Sequence, residues 1–238
     1  MTNFELISFA SDDELAKAVA AAWLQEVASA NRAGATLCVA LSGGRIAQKF
    51  FASVATLAKA RQVSLNAVHF FWADERCVPP NGAESTFRVA HELLFAPLKI
   101  SDDRIHRIRG EESPDFAARE AAIEVCRLAP RNPEGQPVLD LIFLGMGEDG
   151  HVASLFPGEP EAVWSDKAVY RAVTAGKPPP QRITLGYATI AAARQVWVLA
   201  SGAGKARALR ESLAPSGQTP LGRVVQSRPH TRIFSDCC

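Results

Sequence analysis

The sequence predicts an α/β fold in which a mainly parallel sheet is covered by helices, and three observations support this prediction. Short apolar runs alternate along the chain with amphipathic, helix-like stretches. The runs TLCVAL (36–41) and VLDLIFLGMG (138–147) are nearly continuously apolar, which is typical of strands buried on both faces. Three of the runs end in polar turns that read SGG, DER and GEDGH. Helices on both faces of a parallel sheet would give a three-layer arrangement.

The first half of the chain contains clear start signals for two helices. Ser11 and Glu14 form the S-x-x-E pattern of a capping box, which predicts a helix from there to about Ala30. A serine also precedes the apolar periodicity of SPDFAAREAAIEVCRLA. The elements predicted after the first helix are a strand at 36–41, a helix at 46–60, a strand at 67–75, a helix-like segment around 84–95 and a helix at 113–129.

The second half continues the alternation. Its strongest strand is 138–147, and the loop at 131–137 and the proline run at 177–180 are interpreted as turns. The further segments that continue the pattern are KAVYRAVTA, RITLGYATIAAA, QVWVLASG, the helical AGKARALRESLA and a last strand in HTRIFSD. No linker or repeat divides the sequence, so we expect residues 1–238 to form one α/β domain.

Composition excludes several classes of partner. The 238 residues are 47% hydrophobic and 21% charged with a net charge of +1, which gives no electrostatic reason to expect nucleic acid or an anionic membrane. Five cysteines, ending in the adjacent Cys237 and Cys238, do not form a disulfide framework, and no spacing indicates a metal site. The acidic N-terminal stretch lacks signal-peptide features. We expect a cytoplasmic protein that needs no obligate protein partner.

The glycine-rich segment at 145–150 is a candidate dinucleotide-binding motif. Gly145, Gly147 and Gly150 spell G-x-G-x-x-G after a strand, which is the written form of that fingerprint. Glu148 and Asp149, however, would repel a diphosphate at the tip of the turn. Pro157 and Gly158 also cut short the helix that should follow. We therefore expect a tight turn that presents Asp149 and His151 to a pocket.

Charged and hydroxyl groups at the other strand ends complete a candidate site. A carboxylate beside His151 would orient the imidazole and raise its basicity, as in a general base. Ser42, Gly43 and Gly44 offer backbone amides and a hydroxyl to a phosphate, with no acid nearby. Lys205 would be disfavoured at a helix N-terminus unless an anion lies beside it. Asp74, Glu75 and Arg76 form either a solvated turn or a polar wall in which Arg76 holds an anionic or carbonyl oxygen.

Four segments of the sequence resemble the motifs of a known enzyme family. The segments FFWADERCVPP, LGMGEDGHVASLFPG, KPPPQRITL and SGAGKA resemble, in order and spacing, the motif series of the 6-phosphogluconolactonase family. The resemblance extends from SGG to the C-terminal helix, and GMGEDGHVASLFPG is its most specific part. It implies a Rossmann-like α/β fold shared with glucosamine-6-phosphate deaminases and ribose-5-phosphate isomerases. It also implies hydrolysis of a sugar-phosphate lactone without a metal or redox cofactor.

The resemblance assigns roles residue by residue. His151 matches the family's water-activating base, Asp149 the acidic residue beside it, and Asp74 and Arg76 its DER motif. We expect His151, Asp149 and Asp74 to be the catalytic residues and Arg76 to bind substrate. The sugar-phosphate contacts of the family are matched by Ser42, Gly43, Gly44 and Lys205, and the arginine after its proline run by Arg182. There are departures: Arg45, Ile46 and Ala47 stand where the family usually has Ser-Thr-Pro, and Glu84–Phe87 stands in place of D-S-N-Y.

Two rival functions stay open from the sequence. Glucosamine-6-phosphate deaminases share the G-x-D-G-H turn, but they typically continue it with Ile-Ala-Phe-Asn-Glu, whereas this chain has Val152–Phe156 and lacks the acidic residue. The other rival is a non-enzymatic sugar-phosphate sensor, although this chain shows no basic N-terminal helix-turn-helix. Arg45 is expected to tune phosphate affinity without being required, and its side chain has a slight preference for solvent.

Overall fold

The apolar runs form the strands of two sheets in the computed structural model, which describes residues 3–237. The strands of this described part are β1 (Phe4–Ser8), β2 (Leu37–Leu41), β3 (Val68–Trp72), β4 (Asp74–Arg76), β5 (Leu141–Gly145), β6 (Tyr170–Thr174), β7 (Gln181–Leu185), β8 (Gln195–Ala200) and β9 (Thr231–Ser235). Six of them form a parallel sheet in the order β1-β9-β8-β5-β2-β3. The predicted α/β fold with a mainly parallel sheet is confirmed.

The helices connect these strands. They are α1 (Asp12–Arg32), α2 (Arg45–Arg61), α3 (Thr86–Ala90), α4 (Ala96–Leu98), α5 (Pro114–Leu128), α6 (Glu161–Trp164), α7 (Tyr187–Ala192), α8 (Ala206–Leu213) and α9 (Pro220–Gln226), with a π-helical turn at His91–Phe95 and 3₁₀ turns at Asp102–Arg104 and Ala203–Lys205. The predicted serine cap of α1 is present, because Ser11 Oγ accepts a hydrogen bond from the Glu14 amide at 3.2 Å. No helix in the described part of the chain is long and apolar enough to span a membrane.

An aromatic cluster joins the first two helices to the parallel sheet. The fully buried ring of Trp23 in α1 lies 5.4 to 6.3 Å from the rings of Phe50, Phe70 and Phe143. These three rings come from α2, β3 and β5, so one contact group fixes both helices against the middle of the sheet. Burial of such large rings provides much of the hydrophobic stabilisation of a core.

The second sheet is small and antiparallel, in the order β4-β7-β6. It extends from the carboxyl end of β3, because only Ala73 separates β3 from β4. The Leu185 amide donates to the Ala73 carbonyl at 2.8 Å, and the Tyr170 hydroxyl donates to the Trp72 carbonyl at 2.6 Å. The small sheet is thereby held beside the edge of the parallel sheet where polar turns were predicted.

The sequence did not predict β1, the short helices α4 and α6, helix α9 or the separate antiparallel sheet. Strand β1 is a partly exposed edge strand with an acidic residue, so its apolar signal is weak. Helix α9 has seven residues and includes Gly222, too few for a visible period. The antiparallel pairing of β6 and β7 depends on partners distant in sequence. The assignment of residues 1–238 to one domain stays a prediction, and Cys238 lies outside the described residues.

Candidate active site

The order of the strands creates a crevice at the carboxyl ends of the central strands of the parallel sheet. The chain passes from β2 to β3 on one side, whereas β5, β8 and β9 follow on the other, so the sheet reverses its direction of growth between β2 and β5. Ligands of such sheets bind outside the carboxyl ends of the strands at this switch point. A pocket with a cavity volume of about 110 Å³ lies there. It is lined by Ser42, Gly43, Gly44, Arg45, Ile46, Asp74, Arg76, Thr86, Gly145, Met146, His151, Ala153, Arg182 and Lys205.

The turn after β2 leaves an open helix N-terminus at this pocket. Helix α2 begins at Arg45 with no side-chain cap and no acidic residue in its first turn. Gly44 has a φ of +104°, a backbone conformation that favours glycine. Ser42 is only 8% exposed, and its hydroxyl has no hydrogen-bond partner among the described residues. Free amides, a positive dipole end and an unpartnered hydroxyl together favour an anion.

The glycine turn after β5 folds back on itself instead of starting a helix. The Gly147 amide donates to the His151 carbonyl at 2.9 Å, and the Gly150 amide donates to the Gly147 carbonyl at 3.1 Å. A β-carbon at Gly147 would lie 2.0 Å from His151 Nδ1, so only glycine leaves room for the imidazole. Gly150 has a φ of +79°. These glycines shape a turn that presents His151 to the pocket as predicted, whereas Asp149, which was predicted to face the pocket as well, does not line it. Residues 151–158 form turns instead of the helix that a dinucleotide loop requires.

His151 and Asp149 form a close pair. His151 Nδ1 lies 2.5 Å from Asp149 Oδ1, and the His151 amide also donates to that oxygen at 3.2 Å. Burial raises the pKa of Asp149, but the hydrogen bonds from the His151 ring and amide outweigh it and hold that pKa below its ordinary value. An ionised Asp149 accepts the Nδ1 proton, which leaves Nε2 of a neutral imidazole as a base. Asp149 does not line the pocket and supports His151 from the far side of the ring.

The DER segment serves two different purposes. Asp74 and Arg76 line the pocket, and Asp74 Oδ2 accepts a hydrogen bond from the buried Ser154 hydroxyl at 2.7 Å. Glu75 points elsewhere and accepts hydrogen bonds from the amides of Arg76, Thr86 and Phe87, each at 2.8 Å. Burial raises the pKa of Glu75 against the effect of these donors. Glu75 thus fixes the start of α3, and with it Thr86, beside the pocket.

Two arginines face each other across the small sheet. Arg76 and Arg182 are direct partners in the antiparallel register of β4 and β7. Arg76 Nε is buried without a partner, although its Nη1 donates to the Glu84 carbonyl at 2.8 Å. Burial, followed by the positive charge of Arg76, lowers the pKa of Arg182. Like charges directly opposite each other destabilise a strand pair, so an anion between them would be favourable.

Lys205 ends the 3₁₀ turn before α8 and lines the pocket. Burial lowers its pKa; Cys237 acts in the opposite direction, the positive charge of Arg45 lowers the pKa further, and Asp236 and Glu148 have smaller raising effects. No carboxylate of the described residues lies within ion-pair distance of its ammonium: the ion pairs of residues 3–237 do not include Lys205. A half-buried cation without a partner is the group expected at an anion site.

The predicted residues therefore come together, and further residues lie beside them. Ser42, Gly43, Gly44, Asp74, Arg76, His151, Arg182 and Lys205 line one pocket, and Asp149 contacts His151. The sequence reasoning missed Ser154, whose contact with Asp74 spans 80 positions and leaves no local pattern. It also missed Thr86, which stands in the segment that departs from the family. Arg45 lines the pocket and is also exposed to solvent, which the sequence reasoning slightly favoured.

A metal site of the usual type is not formed by the described residues. Nowhere in residues 3–237 do three or more His, Cys, Asp or Glu side chains meet in an arrangement that could hold a metal ion. Independence from metals and redox cofactors stays a prediction for the activity.

Comparison with known proteins gives a consistent set of relatives. A family model described as glucosamine-6-phosphate isomerases/6-phosphogluconolactonase matches residues 10–233. The chain is 34% identical over 211 residues to a 6-phosphogluconolactonase of Treponema pallidum, covering 89% of this chain and 85% of the relative. It is also 34% identical over 227 residues to the 6-phosphogluconolactonase of Homo sapiens, covering 94% and 86% of the two chains.

Solved structures agree with these relatives. The structure of the 6-phosphogluconolactonase from Trypanosoma brucei matches with a TM-score of 0.85 and 27% identity, and covers 100% of this chain and 98% of that chain. A monomeric glucosamine-6-phosphate deaminase matches with a TM-score of 0.81 and 18% identity, covering 98% of each chain. At that identity the deaminase bears on the fold alone.

Proposed function

Because this chain belongs to the glucosamine-6-phosphate isomerase/6-phosphogluconolactonase family, we propose that it hydrolyses 6-phospho-D-glucono-1,5-lactone to 6-phosphogluconate. This is a step of the oxidative pentose phosphate pathway. The observation that carries the proposal is the His151–Asp149 pair beside a pocket that also holds an open helix N-terminus and several cations. Hydrolysis of a phosphorylated lactone requires a base beside groups that bind phosphate, and this pocket contains both.

The proposed chemistry needs one base. A δ-lactone is an activated ester, so water assisted by His151 attacks the C1 carbonyl without a nucleophilic side chain. Nε2 of His151 takes a proton from the water as the new O–C1 bond forms. When the bond from C1 to the ring oxygen breaks, the same proton passes from His151 to that oxygen, and the acid product then ionises. Asp149 orients the ring and stabilises its charged form between these two steps.

The remaining pocket residues bind and position the substrate in this proposal. Ser42, the amides of Gly43 and Gly44, and Lys205 hold the phosphate. Arg76 and Arg182 add positive charge for the phosphate and for the oxygen on which negative charge develops. Asp74, held by Ser154, accepts hydrogen bonds from the sugar hydroxyls. Binding of the remote phosphate holds the lactone carbonyl beside His151, which is how positioning lowers a barrier.

One experiment distinguishes the proposal from its rivals. Freshly prepared 6-phosphogluconolactone and glucosamine 6-phosphate are offered in parallel, and the release of acid and ammonia is followed. We expect acid release well above the spontaneous rate and no ammonia. Ammonia release without lactone hydrolysis would identify a deaminase. Binding of both sugars without turnover would identify a sensor.

The cellular location and the partners of the enzyme are also part of the proposed function. We propose a cytoplasmic location and a small-molecule substrate as the only obligate partner, with no nucleic acid. The four cysteines of the described residues, Cys38, Cys77, Cys126 and Cys237, are all free thiols, which supports a reducing compartment.

A further inference from the structure

Arg45 is a cation for which the described structure offers no partner. It is the first residue of α2, where a positive side chain opposes the helix dipole, and no acidic residue of that first turn compensates it. None of the ion pairs and side-chain hydrogen bonds of residues 3–237 includes it. Other arginines, such as Arg107 with Glu111, have carboxylate partners. The guanidinium of Arg45 is therefore available to an external anion.

Arg45 borders the same pocket as the Lys205 ammonium and the Ser42 hydroxyl. Ser42 is more than nine-tenths buried, and its hydroxyl has no partner among the described residues, so it is a second and independent observation that favours a bound anion. The positive charge of Arg45 also acts on Lys205, because it lowers the pKa of that ammonium. Two neighbouring cations that have no ion-pair partners are stabilised when a doubly charged anion binds between them.

We propose that Arg45 determines substrate specificity by binding the phosphate of the substrate together with Lys205. The inference rests on the proposed function and names the residue that distinguishes phosphorylated from unphosphorylated lactones. A guanidinium presents several N–H donors in a fixed fork that matches two phosphate oxygens. Arg45 supplies this fork from α2, and Lys205 supplies a point charge from the start of α8. A phosphate held between them also accepts hydrogen bonds from the free amides of the α2 N-terminus.

The first test compares two lactones. Arg45→Ser is expected to reduce kcat/KM by about 10-fold on the phosphorylated lactone, mainly through KM, because a charge-assisted contact has been removed. The loss on unphosphorylated glucono-1,5-lactone should be several-fold smaller. Arg45→Lys keeps the charge but not the forked guanidinium, so its kcat/KM on the phosphorylated lactone should lie between those of wild type and Arg45→Ser. Arg61→Ser is the matched control, because it removes the same charge from the exposed last turn of the same helix. Equal losses on both lactones would overturn the proposal.

The second test does not depend on turnover. Inorganic phosphate is titrated into wild type, Arg45→Ser and Arg61→Ser while the melting temperature is followed. Without phosphate, Arg45→Ser should be at least as stable as wild type, since an unfavourable dipole contact is gone. Phosphate should stabilise it less than wild type and Arg61→Ser. Equal stabilisation of all three proteins would show that Arg45 does not bind phosphate. Failure of wild type to hydrolyse the lactone would instead count against the proposed function and leave this binding result intact.

Discussion

At the scale of single residues, the site depends on how His151 is held. The Asp149 carboxylate fixes one ring nitrogen at 2.5 Å, and the Phe156 ring lies 5.1 Å from the imidazole. Gly147 leaves the space that the ring occupies. The residue types could be read from GMGEDGH, but the steric reason for Gly147 became visible only in three dimensions.

The role of His151 as the base predicts a large loss on substitution. We expect His151→Asn to lower kcat on the phosphorylated lactone by on the order of 10²- to 10⁴-fold, because Asn cannot take a proton from water. The melting temperature should change little, because the side chain lies at the pocket surface. His91→Asn, at an exposed helical position, is the control and should retain full activity. A His151→Asn enzyme with near-normal kcat would remove His151 from the chemical step.

The contact of Gly147 with the imidazole predicts that an added methyl group displaces the base. Gly147→Ala would bring a β-carbon to 2.0 Å from His151 Nδ1 and 2.7 Å from Asp149 Oδ1, so the pair must move. A displacement of about 1 Å can reduce the rate by about 10²-fold, and we expect a fall in kcat of that order. Gly176→Ala is the matched control, because nothing lies within 4 Å of its added carbon. Comparable kcat values for the two variants would contradict the steric account.

At the scale of elements, a chain of hydrogen bonds joins β3 to α5 away from the pocket. Arg104 donates to His69 Nε2 at 2.7 Å, His69 Nδ1 lies 2.8 Å from His106 Nε2, and His106 Nδ1 lies 2.8 Å from Glu124 Oε1. Because arginine can only donate, each ring must donate onward through Nδ1 and accept at Nε2. Both histidines are therefore neutral in the intact chain.

This chain predicts that the protein loses stability in mild acid. Burial, followed by the charges of His106 and Arg104, lowers the pKa of His69, with Asp103 acting in the opposite direction. Burial also lowers the pKa of His106, although Glu124 partly offsets it. The unfolded chain thus binds more protons than the folded one as the pH falls below the ordinary value of 6.5. Stability should be retained above that value and decline below it, by about 1.4 kcal/mol per pH unit for each proton taken up.

Urea unfolding at a series of pH values from 7.5 to 5 checks this prediction. His69→Gln cannot titrate at that position, so its stability should depend less steeply on pH than that of wild type. His91→Gln, at an exposed position, should keep the wild-type dependence. If the His69→Gln and wild-type curves run parallel, the hydrogen-bond chain does not control acid stability.

At the scale of the whole molecule, strand ends were the part of the structure that sequence predicted best. The runs before Ser42, Asp74 and Gly145 are apolar enough to identify buried strands, and parallel strands bring their carboxyl ends to one edge. The separate antiparallel sheet could not be predicted, because its pairs depend on contacts between distant segments. The contact of Ser154 with Asp74 and the position of the Arg45 side chain could not be predicted for the same reason. No local sequence pattern indicates which distant group a side chain contacts.

The final prediction is that a product-like anion stabilises the whole fold through the pocket. The pocket is lined by the segments that follow β2, β5 and β8 together with residues of β4, α3 and β7, so unfolding, which separates these segments, destroys the binding site. A ligand that binds only the folded state raises the free energy of unfolding by about 2.7 kcal/mol at a concentration 100 times its Kd. For a chain of this length that corresponds to a rise in melting temperature of roughly 5 to 10 °C. Calorimetry with 6-phosphogluconate should show this rise, and gluconate at equal concentration should give little. His151→Asn should keep the rise while losing turnover, because the phosphate is held by other residues. Equal shifts with gluconate and 6-phosphogluconate would mean that the pocket does not recognise the phosphate.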